Sequence, residues 1–200
     1  MRRGPLRPWE ILDSREVYSA EPWLRVQRQA VRLPDGRIID DYHQIELPDC
    51  CVIHAETPAG EIVVERQYKH GPRLVGLSLP AGAIEPGEAP LAAAKRELLE
   101  ETGYEAAEWH SLGAYTLNGN YGCGRAHLFC ARNARKVTEP VSGDLEEMEI
   151  ITLTRAALTA ALVKGDVHLM AVAMLILLAD QLERPSRKVE RARYRSPSRR

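Results

Sequence analysis

From Ser14 to Gln44 apolar and polar positions alternate in part, most clearly over Trp23 to Leu33. That is the pattern of strands with one buried face. Pro34-Asp35-Gly36 interrupts it with hairpin chemistry, and Arg37 to Gln44 returns as the antiparallel partner. Residues 1–13 are rich in proline and arginine and carry no clear period. Cys50 to Ala55 and Glu61 to Tyr68 predict a second strand pair across the Thr57–Gly60 turn, and Leu74 to Leu79 a further short strand. A helix is expected over Ala89 to Glu101: good helix formers, no glycine, Pro90 in the first turn and Gly103 placed to end it. Strands follow at Glu108 to Thr116 and Arg125 to Arg132, separated by a glycine-rich loop from Leu117 to Gly124. Val141 to Glu149 reads as an acidic loop, followed by a strand at Ile150 to Leu153. Thr154 is placed to cap a helix over Arg155 to Val163, and Asp166 another over Val167 to Leu182. Strands interleaved with few helices predict an α/β fold, a mixed sheet packed between helices.

The charge along the first helix does not fit a helix built only for stability. Glu97, Glu100 and Glu101 share one face of its second half, near the negative end of the helix dipole, where like charges also repel one another. A solvated acidic face is one reading. The other is a hard cation, since Mg²⁺ or Mn²⁺ takes carboxylate oxygens and leaves room for phosphate. Arg96, four residues before Glu100, is expected to hold that carboxylate in place.

The spacing around these acids favours the cation. Gly82 is followed after five residues by Glu88, after seven more by Arg96-Glu97-Leu98, then by Glu100-Glu101 and Gly103-Tyr104. Seven single-residue requirements are met by chance on the order of once in a hundred million trials. The stretch resembles the Nudix box, the signature of Mg²⁺-dependent hydrolases that cleave a nucleoside diphosphate linked to another moiety. The resemblance implies an α/β/α sandwich with a mixed sheet. It also implies metal binding by Glu97, Glu100 and Glu101 and by the backbone carbonyl of Ala81.

The likeness covers roughly residues 20 to 180 and is strongest to the ADP-ribose pyrophosphatase branch. It is carried by Gln67-Tyr68-Lys69, Leu79-Pro80-Ala81-Gly82, Ala126-His127-Leu128-Phe129 and Gly143-Asp144-Leu145-Glu146. It implies a homodimer in which Trp23 and Tyr42 clasp a purine base. From the residues alone, these two rings either pack a sheet face or form a stacking platform. The resemblance further implies that Glu146 places the attacking water, with Glu101 as the alternative. Arg66 and Lys69 are candidates to hold the leaving phosphate. Three positions depart from the branch: Lys69 stands for an arginine, Ser78 for a glutamate and Gly119 for a proline. The Gly119 loop is expected to set selectivity for the second sugar. The implied reaction is ADP-ribose to AMP and ribose 5-phosphate. Another nucleotide sugar such as GDP-mannose, or an ADP-ribose sensor without turnover, is the alternative.

Composition adds bounds. A hydrophobic fraction of 44% supports a core, and 200 residues suit one catalytic domain (46–183) with an N-terminal β segment (1–45). The net charge of −1 hides a basic segment, 184–200, with eight basic residues and one acid. That segment is expected to be disordered, and it is the one place where nucleic acid contact is anticipated. The four cysteines have no C-x-x-C spacing, so they read as reduced thiols of a cytoplasmic protein, with Cys50 and Cys51 packed in a strand. His127 reads as a packed core histidine. Met1-Arg2-Arg3 is not followed by an apolar run, and Leu169 to Ala179 is too short to span a bilayer.

Overall fold

A computed structural model describes residues 6–141, 143 and 147–183 of the chain. The basic segment 184–200 and the acidic residues Asp144 and Glu146 lie outside the described residues. Strands β1 (Glu10–Ala20), β2 (Leu24–Arg32) and β3 (Ile38–Glu46) form an antiparallel ribbon. Next come β4 (Cys50–Glu56), β5 (Glu61–Lys69), β6 (Leu74–Ser78), β7 (Ala81–Ala83) and helix α1 (Pro90–Thr102). The chain continues through β8 (Tyr104–Glu105), β9 (Glu108–Asn118), β10 (Gly122–Arg132), β11 (Arg135–Lys136) and β12 (Met148–Thr154). Helices α2 (Arg155–Lys164) and α3 (Met170–Glu183) close it.

The main sheet runs β1-β2-β3-β10-β4-β5-β12, with β6, β7 and β9 attached to β5, β4 and β10. It is mixed: β10 is parallel to β3 and β4, and the other pairs are antiparallel. Its central strands are covered on both faces. Cys51, Ile53 and Ala55 of β4 pack with Ala93, Ala94 and Leu98 of α1. Val52, between them in sequence, packs with Val172, Leu175 and Ile176 of α3 and Leu158 of α2. A strand buried on both sides favours apolar residues at successive positions, so Cys50–Ile53 of β4 and Ile62–Val64 of β5 are short apolar runs and not alternating ones. The layers are those of an α/β/α sandwich carrying an N-terminal antiparallel ribbon.

Four expectations change. β1 begins inside the stretch that showed no period, because nearly all of its residues are exposed and no buried face imposes one. The glycine-rich loop shrinks to a turn: Asn118 Oδ1 accepts from the backbone N–H of Asn120 and Tyr121, both at 2.9 Å, so β9 and β10 extend to meet there. Asp166 does not cap α3, which starts at Met170. Its N–H donates to Ala161 O at 3.0 Å beside Gly165 (φ +92°), closing α2, and its carbonyl accepts from Leu77 N at 2.8 Å. The cap of α2 is as expected, with Ala157 N donating to Thr154 Oγ1 at 3.2 Å. His127 is half-buried rather than a packed core residue, and its Nε2 lies 3.3 Å from Asp49 Oδ2. None of the four cysteines is in a disulfide, and Cys51 is fully buried in its strand. Among the described residues no helix is long and apolar enough to cross a membrane.

The α2–α3 layer is tied to the sheet by a polar clamp. Arg155 donates to Glu56 at 3.0 Å and to Asp180 at 3.4 Å, and Thr159 Oγ1 donates to Asp180 at 3.2 Å. His54 is buried beside it; burial, and then the Arg155 charge, pull its pKa down to about 4. The folded protein therefore keeps His54 neutral where the unfolded chain protonates it, near pH 6.5. Its contribution is complete above that pH and declines as pH falls toward 4. Between pH 7.5 and 5.5 the unfolding free energy is expected to drop by roughly 1.4 kcal/mol on this account. Urea titrations at the two pH values check this, and His54→Gln is expected to remove most of the difference.

Candidate active site

β7 sits antiparallel to β4, Gly82 opposite Cys51 and Ala81 opposite Val52. The loop after it is stitched by Glu88 N donating to Glu85 O at 2.9 Å and Glu85 N to Glu88 Oε2 at 3.1 Å. Helix α1 then starts at Pro90 without a side-chain cap and ends where Gly103, at φ +74°, donates its N–H to Leu99 O. This returns the second half of the helix to β7.

The three acids of that half are held differently. Glu101 is 6% exposed, and its Oε2 accepts from Ala81 N at 2.8 Å. Glu97 lies against the bare Cα of Gly82, and a Cβ there would overlap its carboxyl group. That is a physical reason for glycine at the head of the motif. Glu100 is about half exposed.

Arg96 gathers the acids. Its Nε and Nη2 fork onto Glu88 Oε1 and Oε2 at 3.1 and 2.9 Å. Nη2 also donates to Ala83 O at 3.1 Å, and Nη1 to Glu97 Oε1 at 2.8 Å and Glu100 Oε2 at 3.2 Å. The expected Arg96–Glu100 contact exists, but the bidentate partner is Glu88, a residue for which no role was expected. Only its fixed place in the motif, eight residues before Arg96, hinted at one. The Glu88 bond, followed by those to Glu97 and Glu100, raises the Arg96 pKa further, and the same fork lowers that of Glu88.

The donor set suits a hard divalent cation: carboxylates on one helix face, with backbone oxygen at β7 beside them. In this arrangement Arg96 stands between Glu97 and Glu100. Among the described residues no three ligating side chains converge on one point.

The remaining expected site residues are dispersed. Trp23 is exposed on the β1–β2 turn and lines an open groove of ≈590 Å³ that also reaches Glu46 and the Ala83–Pro86 loop. Tyr42 lies four residues before Glu46 along β3, about 13 Å, so one chain does not bring the two rings together. Its hydroxyl donates to Asn120 O at 2.8 Å, and its ring meets Trp9 edge-on at 5.4 Å. Gly119 stands in the turn beside that contact, with open space around it. Arg66 and Lys69 point to opposite sides of β5: Glu65 and Gln67 are buried while Arg66 and Tyr68 are exposed, so odd and even positions part. Arg66 pairs with Glu149 at 3.3 Å. Glu146 lies outside the described residues, and only the residues flanking its segment are placed. Val141 N donates to Glu100 O at 2.9 Å on one side, and Met148 pairs with Gln67 on the other.

The family model described as NUDIX domain matches residues 48–172, and that described as nucleoside diphosphate sugar hydrolase N-terminal domain matches residues 9–45. The methanol dehydrogenase activator of Bacillus methanolicus is 29% identical over 159 residues, 80% of this chain and 84% of that protein. The ADP-ribose pyrophosphatase of Bacillus subtilis (strain 168) is 29% identical over 132 residues, 66% of this chain and 70% of that protein. The crystal structure of an ADP compounds hydrolase shares the fold, with a TM-score of 0.78 at 19% identity over 90% of this chain and 96% of that one.

Replacing Arg96 by lysine keeps the charge and removes the fork. Arg96→Lys is expected to lower the unfolding free energy by about 1–2 kcal/mol, the loss of charge-assisted bonds discounted for partial exposure. Chemical denaturation at neutral pH measures it.

Proposed function

The chain belongs to the Nudix family of hydrolases, and on that premise we propose that it hydrolyses the diphosphate of a nucleoside diphosphate sugar with Mg²⁺ or Mn²⁺. The substrate favoured here is ADP-ribose, split to AMP and ribose 5-phosphate. One observation carries the reading: a complete acidic motif, gathered by Arg96, follows a segment that matches a nucleoside diphosphate sugar hydrolase N-terminal domain. Similarity to the B. subtilis ADP-ribose pyrophosphatase supports the adenine nucleotide.

Glu97, Glu100 and Glu101 would hold the cation together with the Ala81 carbonyl. When bound, such an ion neutralises phosphate charge and lowers the pKa of a water. The chain's own groups do the rest. Ala81 N–H fixes one oxygen of Glu101 and so orients the carboxylate. Glu146, in the segment between Val141 and Met148, takes the proton as water attacks phosphorus, with Glu101 as the alternative base. The phosphorus–oxygen bond on the far side breaks, and Lys69 stabilises the charge that gathers on the leaving phosphate. Arg66, on the other side of β5 and paired with Glu149, is left out of this role.

A homodimer completes the reading. Trp9, Ile11, Val17 and Tyr18 are exposed on the ribbon of residues 9–45. Such a surface suits a second copy, which would bring its own aromatic residues to the groove at Trp23. Four cysteines without a disulfide suit a cytoplasmic setting.

The test is product analysis by chromatography with Mg²⁺ and a panel of ADP-ribose, GDP-mannose and other nucleotide sugars. AMP and ribose 5-phosphate are expected from ADP-ribose, with loss of turnover on chelation. Glu101→Gln is expected to lower kcat by at least about 10³-fold with an unchanged circular dichroism spectrum. Full activity in that variant would sink the mechanism. Preferential cleavage of another sugar nucleotide would move the substrate, and binding without turnover would favour a sensor.

A further inference from the structure

β5 carries a polar row in a place where its neighbours are apolar. Glu65 and Gln67 are 1% and 4% exposed, on the same side as Lys69. Glu65 lies opposite Ser78 of β6, and Gln67 opposite Gly76. Gln67 Nε2 donates to Glu65 Oε2 at 2.8 Å. That bond sets which way the amide faces, and it leaves the carbonyl oxygen for a different donor. Among the described residues, Gln67 Oε1 is buried and has no hydrogen-bond partner. A buried acceptor left unmatched is unfavourable, and native proteins rarely keep one without a use.

Gln67 lines a narrow recess of ≈10 Å³ together with Lys69, Gly76, Ser78 and His168. This is room for about one oxygen atom. Gly76 admits the imidazole wall, since a Cβ there would fall 2.5 Å from His168 Cδ2. Ser78 gives its hydroxyl proton to Leu79 O at 3.0 Å. Among the described residues the recess is where the unmatched Gln67 Oε1 lies, and it adjoins the cation assigned above to phosphate.

We propose that Gln67 Oε1 accepts a hydrogen bond from an O–H donor in this recess, and that in the complex the donor is a hydroxyl of the sugar esterified to the diphosphate. This rests on the nucleotide-sugar reading and deepens it: Gln67 reads the sugar, while Glu65 is a positioning residue that holds its amide. In the absence of ligand a water takes the same place. A site that matches a hydroxyl discriminates strongly against a ligand lacking it, because the acceptor is then left unpaired.

The experiment is calorimetric titration without divalent cation, so that ligand is not turned over. The ligands are ADP-ribose and an ADP pentyl ester, which carries the same diphosphate and charge but no sugar hydroxyls. Wild-type protein is expected to bind ADP-ribose at least about tenfold more tightly than the ester. Gln67→Met is expected to bring that preference to within about twofold and to leave ester affinity nearly unchanged. Gln67→Asn, which retains an amide but withdraws the acceptor, is expected to do the same and serves if the methionine variant fails to fold. A preference that is absent in wild type, or equal in wild type and variants, overturns the proposal. So does a lowered melting temperature with the preference intact, which would assign the recess to water alone. Those results leave the nucleotide-sugar reading standing if product analysis shows hydrolysis; no hydrolysis across the panel sinks that reading itself.

Discussion

Three carboxylates on the C-terminal half of one helix repel one another and the helix dipole, and the fork of Arg96 on Glu88 is what makes them tolerable. Glu88 fixes the guanidinium through two parallel bonds, so its remaining donors reach Glu97 and Glu100 at no further conformational cost. Ala81 N–H takes the third carboxylate, Glu101. The loop, β7 and the helix are therefore joined into one electrostatic unit. Gly82 belongs to that unit for a steric reason, since Glu97 occupies the space of its missing side chain.

The sheet supplies the frame. β4 is buried on both faces, so its apolar run anchors α1 on one side and α3 on the other. Alternation along β5 then sorts its polar residues. Arg66 goes outward to Glu149, and Lys69 joins the side of Gln67. A strand period of two separates residues three apart, whatever their charge. The buried pair Glu65–Gln67, like His54 of β4, departs from the apolar interior of this frame, and a polar pair kept in an interior points to a task beyond packing.

Much of this was legible in the chain. The spacing from Gly82 to Tyr104 determined the helix, its ends and its acidic face, because proline, glycine and helix-forming residues act locally. The runs Cys50 to Ala55 and Glu61 to Tyr68 determined strands, and the hairpin at Pro34-Asp35-Gly36 was set by turn chemistry. What the sequence left open depended on distance between segments. That Glu88 is the partner of Arg96 follows from the loop closing on itself. Asp166 serves the end of α2 and the edge of β6 and not the start of α3, because two other elements reach it first. Tyr42 meets Trp9 and the Asn120 turn, away from Trp23, because pairing register sets its place along the ribbon. Local preference is written residue by residue, whereas these partners are chosen by packing and register across the sheet, and only the folded chain decides them.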